Sequence, residues 1–522
     1  MKKSFELNDL LTTKTALLIS GIVCAIPFVF KYAFILPWIC FIPVVIAVEK
    51  SGFSPKKTAK NLFIFGFGYY FVAYSWFTSL YPLDFAGFSS AESVLIVLLA
   101  VTAIPAIHSG LLSLSGAVCA LLCRKASRFV RLFAVACAFV FAELLQSVGT
   151  FAFPWGRVFV TQSAFPVLLQ SASVFGSYFI TFLVVGVNSL FAYALMSKKY
   201  RKKLIAIGLS VFALNICFGV VRMAALEKGY EEKDEFRAVA LQGNYPSKSK
   251  WTGSTSEMFL EYMSLAQNAL KDADKSVPSL VAIPETALTT EFKEDGRYAE
   301  TVKDFCAENN ASFVIGAFAD NDGRYLNAIF TVNPDRSISA PYAKRHLVPF
   351  GEYVPYRSVV EKISPDLAGA ISFHDFDKGT DTVTMSTPFA NVGTLICYDS
   401  IFPSLCRQAV NDGAEVVVIS TNDSWFGTSP ALTHHLAQAQ MRAIENNVPI
   451  VRAANTGISA IIEPNGTVIS SLGADKRGYI SENIKVGERG TLYTAIGDVW
   501  IALCALYLII GFVVGSVKSK RT

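Results

Sequence analysis

Hydrophobic and polar positions divide this chain into three stretches. Residues 15–223 are a succession of long apolar runs, residues 226–490 alternate short apolar runs with polar segments, and residues 493–516 are apolar again. A helix needs about 20 apolar residues to cross a bilayer core. Candidate spans lie at 15–30, 33–48, 62–80, 91–122, 129–148, 171–196, 204–222 and 493–516. The run 91–122 would reach about 48 Å as one helix against a core of roughly 30 Å, so it reads as one long span or two short ones. No convincing cleavage pattern follows the first run, so that run is expected to be retained.

The middle block has a different period. Apolar, β-branched runs at 237–243, 279–285, 312–318, 327–333, 392–398, 415–422, 449–455 and 459–466 read as strands. Between the first two, Phe259, Met263, Ala266 and Leu270 recur at helical spacing. Strands alternating with helices predict an α/β domain, and "PNG" at 464–466 marks a hairpin-like turn. The expected organisation is a membrane domain over 1–225 with seven spans, a folded domain over 226–490, and an eighth span with a tail over 491–522.

Composition and charge sharpen this picture. Hydrophobic residues are 52% of the chain and charged residues 17%, too apolar for a soluble enzyme of 522 residues. A formal net charge of +5 implies no polyanionic partner, and no nucleic-acid signature or glycine-rich phosphate loop is present. The placement of the basic residues matters more than their total. They cluster at the N-terminus, at 49–60, 124–128 and 197–203, and in the tail "KSKRT". The loop 81–90 has none, and 149–165 has only Arg157. Splitting 15–48 and keeping 91–122 whole puts every cluster on one side, which is then the cytoplasm. The 226–490 block is expected outside it, on the periplasmic side of the cytoplasmic (inner) membrane.

Three strand ends in that block carry reactive side chains. Glu285 follows one apolar run, Lys344 precedes a second carboxylate, Glu352, and Cys397 ends another run in "LICYDS". Active groups gather at the carboxyl ends of strands in α/β folds. A carboxylate, an ammonium and a thiol suit acyl transfer: the carboxylate takes the thiol proton, and the ammonium faces the oxyanion. Taken singly, each has a plainer explanation, as a cap, a surface lysine or a core cysteine. The ten cysteines show no CxxC pairing, and only Cys306, Cys397 and Cys406 lie in the polar block. The adjacent His434 and His435 do not share a helix face, so no metal is expected, and no cofactor either.

The ordered segments "PETA", "YAKRHLVPFGEYVP", "ICYDSIFP" and "STNDSWFG" resemble the carbon–nitrogen hydrolase (nitrilase) superfamily. With the flanking spans and "LQGNYPSKSKW" at 241–251, the whole chain resembles the bacterial apolipoprotein N-acyltransferases. That resemblance implies an αββα sandwich on an eight-span helical bundle. It implies Glu285 as general base, Lys344 as oxyanion stabiliser and Cys397 as nucleophile, with Glu352, Tyr398, Asp399 and Trp251 in support. The implied reaction moves an acyl chain from a phospholipid, through a Cys397 thioester, to the α-amino group of a lipoprotein's diacylglyceryl-cysteine. Ile283 stands where the family often has Trp, and Asp399 where Glu is common.

Four further residues are candidates for lipid access. Trp425 and Phe426 fall in a loop after a strand, and aromatic rings are favoured at a bilayer interface; ordinary core packing is the alternative. Glu143 lies in the outer half of a span, where an acid is costly, and either serves a function or snorkels outward. Arg157 sits near the outer face, to meet a phosphate or cap a helix. The connection 353–373 is long and apolar enough to act as a lid. The competing readings are a membrane-tethered amidase that uses water as acceptor, and a transporter or lipid-binding protein with an inactive domain.

Overall fold

Among the described residues of the middle block, twelve strands form: β1 (Glu235–Gln242), β2 (Ser279–Ala282), β3 (Ala311–Asn321), β4 (Arg324–Val332), β5 (Tyr342–Ala343), β6 (Thr384–Ser386), β7 (Asn391–Ile396), β8 (Val416–Thr421), β9 (Ile450–Ala454), β10 (Ser459–Ile462), β11 (Val468–Leu472) and β12 (Gly478–Lys485). The computed structural model describes residues 7–83, 87–230, 233–363, 376–487 and 490–521. By contacts the chain separates into two units, one of Met1–Thr78, Leu95–Met223 and Ile496–Thr522, the other of Ser79–Val94 and Ala224–Ala495.

In the second unit the strands make two six-stranded sheets, ordered β12-β1-β2-β3-β4-β5 and β11-β10-β9-β8-β7-β6. In each, three neighbouring strands run parallel: β1, β2 and β3 in the first, β7, β8 and β9 in the second. The remaining pairs are antiparallel. Alternation along β1 decides which side faces which layer. Phe236, Ala238 and Ala240 join Val392, Val416, Val418 and Val451 of the other sheet in the central core. Val239 and Leu241 turn the other way, onto Phe259, Ala266 and Leu270 of the helix Thr255–Leu270 and Val302 and Phe305 of the helix Arg297–Asn309. Helices Pro403–Asn411 and Ala431–Asn446 follow β7 and β8 in the second sheet. The result is an α/β sandwich of two sheets.

Four strands have no counterpart in the apolar pattern. β5 and β6 have only two and three residues, too few for a period. β11 and β12 are edge strands with polar, exposed positions, including Glu482 and Asn483. Exposed edges with charges are how sheets avoid pairing with other chains, and the same polarity leaves no apolar run at these strands.

Among the described residues, five helices are long and apolar enough to cross a membrane: Ser90–Cys123, Arg128–Gln146, Ser177–Met196, Arg201–Gly229 and Val499–Val517. The run 91–122 is one helix, passing through Pro105 without a break. The expected spans 15–30 and 33–48 are broken into shorter pieces, Lys14–Cys24, Pro37–Cys40 and Ile42–Lys50 among them. Prolines 27, 37 and 43 sit at the starts of the new turns, where a missing N–H costs nothing. Helix Pro55–Ala73 covers most of the span expected at 62–80. It packs on Lys14–Cys24 through Gly21 and Gly68, where an added Cβ would sit 2.0 Å from the Phe65 oxygen and 2.4 Å from the Leu18 oxygen; small residues let membrane helices approach this closely. Of the connection expected as a lid, residues 357–363 form the helix Arg357–Ile363, and 364–373 lie outside the described residues.

Candidate active site

The parallel strands of both sheets end in the same region. The Ser420 hydroxyl at the end of β8 donates to the Ile283 carbonyl just after β2, at 2.9 Å. Two residues later the Asn422 amide donates to Glu285 Oε2 at 2.8 Å. Glu285 is thereby fixed by a strand 137 residues away in sequence. Lys344 leaves β5, and its Nζ lies 2.8 Å from Glu285 Oε1 and 2.9 Å from Glu352 Oε1. Asn327 of β4 donates Nδ2 to both carboxylates, at 2.8 and 3.1 Å. The Val348 amide holds the other Glu352 oxygen at 2.8 Å. These are charge-assisted bonds in a dry site, with the Lys344 side chain only 2% exposed.

Burial works to raise the Glu285 carboxyl, but the Lys344 and Lys250 charges and the Asn327 bond outweigh it and hold it below the usual range. Burial likewise opposes the Lys344 ammonium, and Glu285 and Glu352 more than restore it. Both groups stay charged at neutral pH.

Cys397 begins the 3-10 turn Cys397–Ile401 directly after β7. Its φ is +48°, a left-handed conformation that costs an L-residue of order 1–3 kcal/mol and clusters at functional sites. Burial, then the Glu285 charge, push its thiol well up, with Lys344 opposing. The sulfur therefore rests protonated. Thr286, beside Glu285, is also left-handed at φ +46°.

Asp399 explains how the turn is held. Fully buried, it accepts from the Tyr342 hydroxyl at 2.9 Å and from the His346 amide at 2.8 Å, joining the Cys397 turn to the segment that carries Lys344. Burial pushes its carboxyl up to about 6. Tyr398 is buried against the edge of Phe402, with ring centroids 5.4 Å apart. Trp251 is half exposed and nearly parallel to Phe318 at 6.3 Å. Phe318, Tyr325 and Phe376, with Arg297 and Tyr298, line an open cavity of about 610 Å³.

Trp425 and Phe426 lie on the turn Ser424–Phe426 after β8. Trp425 is 39% exposed, whereas Phe426 stands edge-on to the His435 ring at 6.0 Å. Glu143 and Arg157 belong to the other unit and pair with each other. Arg157 Nε is 3.2 Å from Glu143 Oε2, both side chains being at most 2% exposed, and Glu143 also accepts from the Val158 amide and the Thr181 hydroxyl.

Two site residues escaped the sequence reading. Lys250, buried to 2% exposure, donates to the Glu285 carbonyl at 2.9 Å and to the Thr286 hydroxyl at 2.5 Å; burial lowers its ammonium to about 8. The only hint was its place beside Trp251. His435 reaches the Cys397 turn from the helix Ala431–Asn446, with no local signal. The donor atoms of Cys397, Asp423 and His435 lie within 4.8 Å of one another. They suit a metal poorly, because Arg452 is 2.6 Å from the Asp423 carboxylate and repels a cation.

Comparison with known proteins places this layout. Residues 237–493 match the carbon-nitrogen hydrolase family, so the two-sheet unit has a nitrilase-like carbon–nitrogen hydrolase fold. Residues 20–190 match the apolipoprotein N-acyltransferase N-terminal domain. Apolipoprotein N-acyltransferases from Geobacter metallireducens and Thermotoga maritima are 29% and 28% identical, covering 93% of this chain and 92% and 90% of their own lengths. That of Borreliella burgdorferi is 30% identical over 71% of this chain and 73% of its own. The chain belongs to the apolipoprotein N-acyltransferase family, and it is an enzyme of the acyltransferase class.

Proposed function

We propose that the protein transfers an acyl chain from a phospholipid to the α-amino group of a lipoprotein's N-terminal S-diacylglyceryl-cysteine, with Cys397 as the carrier. The observation that carries the reading is the buried cluster of Glu285, Lys344 and Glu352 beside a left-handed cysteine. Because the thiol rests protonated, its proton leaves as the bond forms. Cys397 Sγ attacks the ester carbonyl while Glu285 takes the thiol proton. Two of the three Lys344 N–H groups hold the carboxylates; the third faces the oxyanion. Collapse of the tetrahedral intermediate expels the lysophospholipid alkoxide, which recovers the proton from Glu285. In the second half the acceptor amine attacks the thioester, gives its proton to Glu285, and expels the thiolate, which takes that proton back. Lys250 adds a second positive charge beside Glu285 and the sulfur.

The membrane setting completes the proposal. Eight spans, with the short and broken helices before residue 80 counted as crossings, put the basic clusters in the cytoplasm. The domain 226–490, which follows the membrane domain 1–225 in sequence and precedes the returning segment 491–522, then works on the periplasmic side of the inner membrane. Trp425 offers an exposed ring for lipid access. The test is intact-mass analysis after incubation with phospholipid vesicles. Wild type should gain one acyl chain on Cys397 and lose it to an added diacylglyceryl-cysteine peptide, whereas Cys397→Ala should gain none. An acyl group on Cys306 or Cys406, or release of free fatty acid without N-acyl peptide, overturns the assignment.

A further inference from the structure

Beneath the Cys397 turn lies a second charged group that the reaction above does not use. Asp423, fully buried, accepts from Arg452 at 2.6 Å through Oδ2 and from the Thr421 hydroxyl at 2.7 Å through Oδ1. His435 Nδ1 lies 2.9 Å from the same Oδ1. Burial opposes the Asp423 charge, but Arg452 and His435 overcome it and keep the carboxyl well below the usual range. Burial and the Arg452 charge hold the imidazole below the usual His range, so the ring is neutral at pH 7. Nδ1 faces the Asp423 carboxylate and, at 3.2 Å, Arg452 Nη2, so Nε2 is the ring atom turned to the Cys397 turn. The Ser400 hydroxyl donates to the Cys397 carbonyl oxygen at 2.7 Å, and its oxygen is 3.0 Å from Nε2. Nε2 itself is 3.2 Å from that carbonyl.

Ser400, His435 and Asp423 have the spacing of a hydrolytic triad, but Ser400 is fully buried and its oxygen already faces the Cys397 peptide. No substrate carbonyl reaches it. What the chain of bonds does reach is the one peptide whose left-handed geometry sets the direction of the sulfur. We propose that His435, anchored by Asp423 and Arg452 and acting through Ser400, is a positioning residue that locks the Cys397 turn in its reactive conformation. This rests on the reading of Cys397 as nucleophile. Phe426 packs T-shaped on the His435 ring at 6.0 Å, so the turn after β8 and the nucleophile turn share one support.

The test uses the full-length protein in phospholipid vesicles. Thioester formation on Cys397 is followed by mass at rising phospholipid content, and alkylation of Cys397 by iodoacetamide is followed by peptide mapping. Misplacement of a reacting atom by about 1 Å typically costs about 10²-fold. His435→Leu should lower the saturating acylation rate on that order with half-saturation unchanged. His435→Gln, which keeps a polar atom near Nε2, should recover at least about tenfold of it. Ser400→Ala guards against misfolding, since it removes one oxygen, and should slow acylation and alkylation at an unchanged melting temperature. Wild-type rates in both His435→Gln and Ser400→Ala, or a His435→Leu defect confined to half-saturation, would overturn the proposal. If wild-type Cys397 takes no acyl group, the carrier reading fails instead; the alkylation series still decides the brace.

Discussion

Replacing Lys344 by Met removes one ammonium from between two carboxylates and nearly preserves volume. At an effective dielectric of about 20, each contact near 2.8 Å is worth roughly 6 kcal/mol of attraction, most of which desolvation takes back. Breaking such a buried pair typically costs about 3–5 kcal/mol net, because the partner charge is left uncompensated. Here two carboxylates are left, with side-chain exposures of 6% and 14%, bridged only by Asn327 among the contacts described above. Like charges sharing a site raise one carboxyl pKa strongly. The sign follows. In the wild type the lowered Glu285 pKa contributes stability above about pH 4.3 that is lost only as pH falls through the lower folded value. In Lys344→Met a raised carboxyl pKa makes the deficit full at neutral pH and smaller as pH falls. The stability gap between the two proteins should therefore be about 3–5 kcal/mol near pH 7 and narrow toward pH 5. Adding Glu352→Gln to the Met variant should recover part of it. Acylation should stay down by about 10²–10³-fold throughout, since the oxyanion donor is gone. The assay is thermal unfolding in detergent from pH 5 to 8, paired with thioester mass. A gap that is constant with pH and untouched by Glu352→Gln would refute the charge-balance account.

Other outcomes follow from single residues. Lys250 loses its charge as pH rises through about 8, so acylation should fall on an alkaline limb near that value; Lys250→Arg, always charged, should move the limb upward, and an unmoved limb would assign it to another group. Asp399→Glu adds a methylene where both carboxylate oxygens are already engaged, and should cost about 1–3 kcal/mol by overpacking; unfolding that is unchanged would mean the turn has room for the longer acid. Trp425→Ser should weaken phospholipid use with little change in melting temperature, while Phe426→Ser should also slow alkylation of Cys397 through His435; equal effects of both on unfolding alone would make the two rings ordinary packing.

The sequence by itself determined the elements whose signal is local. Apolar runs of membrane length, the short apolar, β-branched runs that lead into Glu285 and Cys397, and the helical spacing of Phe259, Met263 and Ala266 are all set within a few neighbouring residues. Short or polar strands such as β5 and β12 left no such trace, because a two-residue ladder or an exposed edge needs no apolar pattern. Partnerships were decided only by the tertiary structure. Lys250 meets the Glu285 peptide across 35 residues, and His435 meets the Cys397 carbonyl across 38. Glu143 and Arg157, each open to several readings alone, prove to be one buried ion pair. A charge can be buried only beside its counter-charge, and the counter-charge is chosen by how sheets and helices stack, which no window along the chain contains.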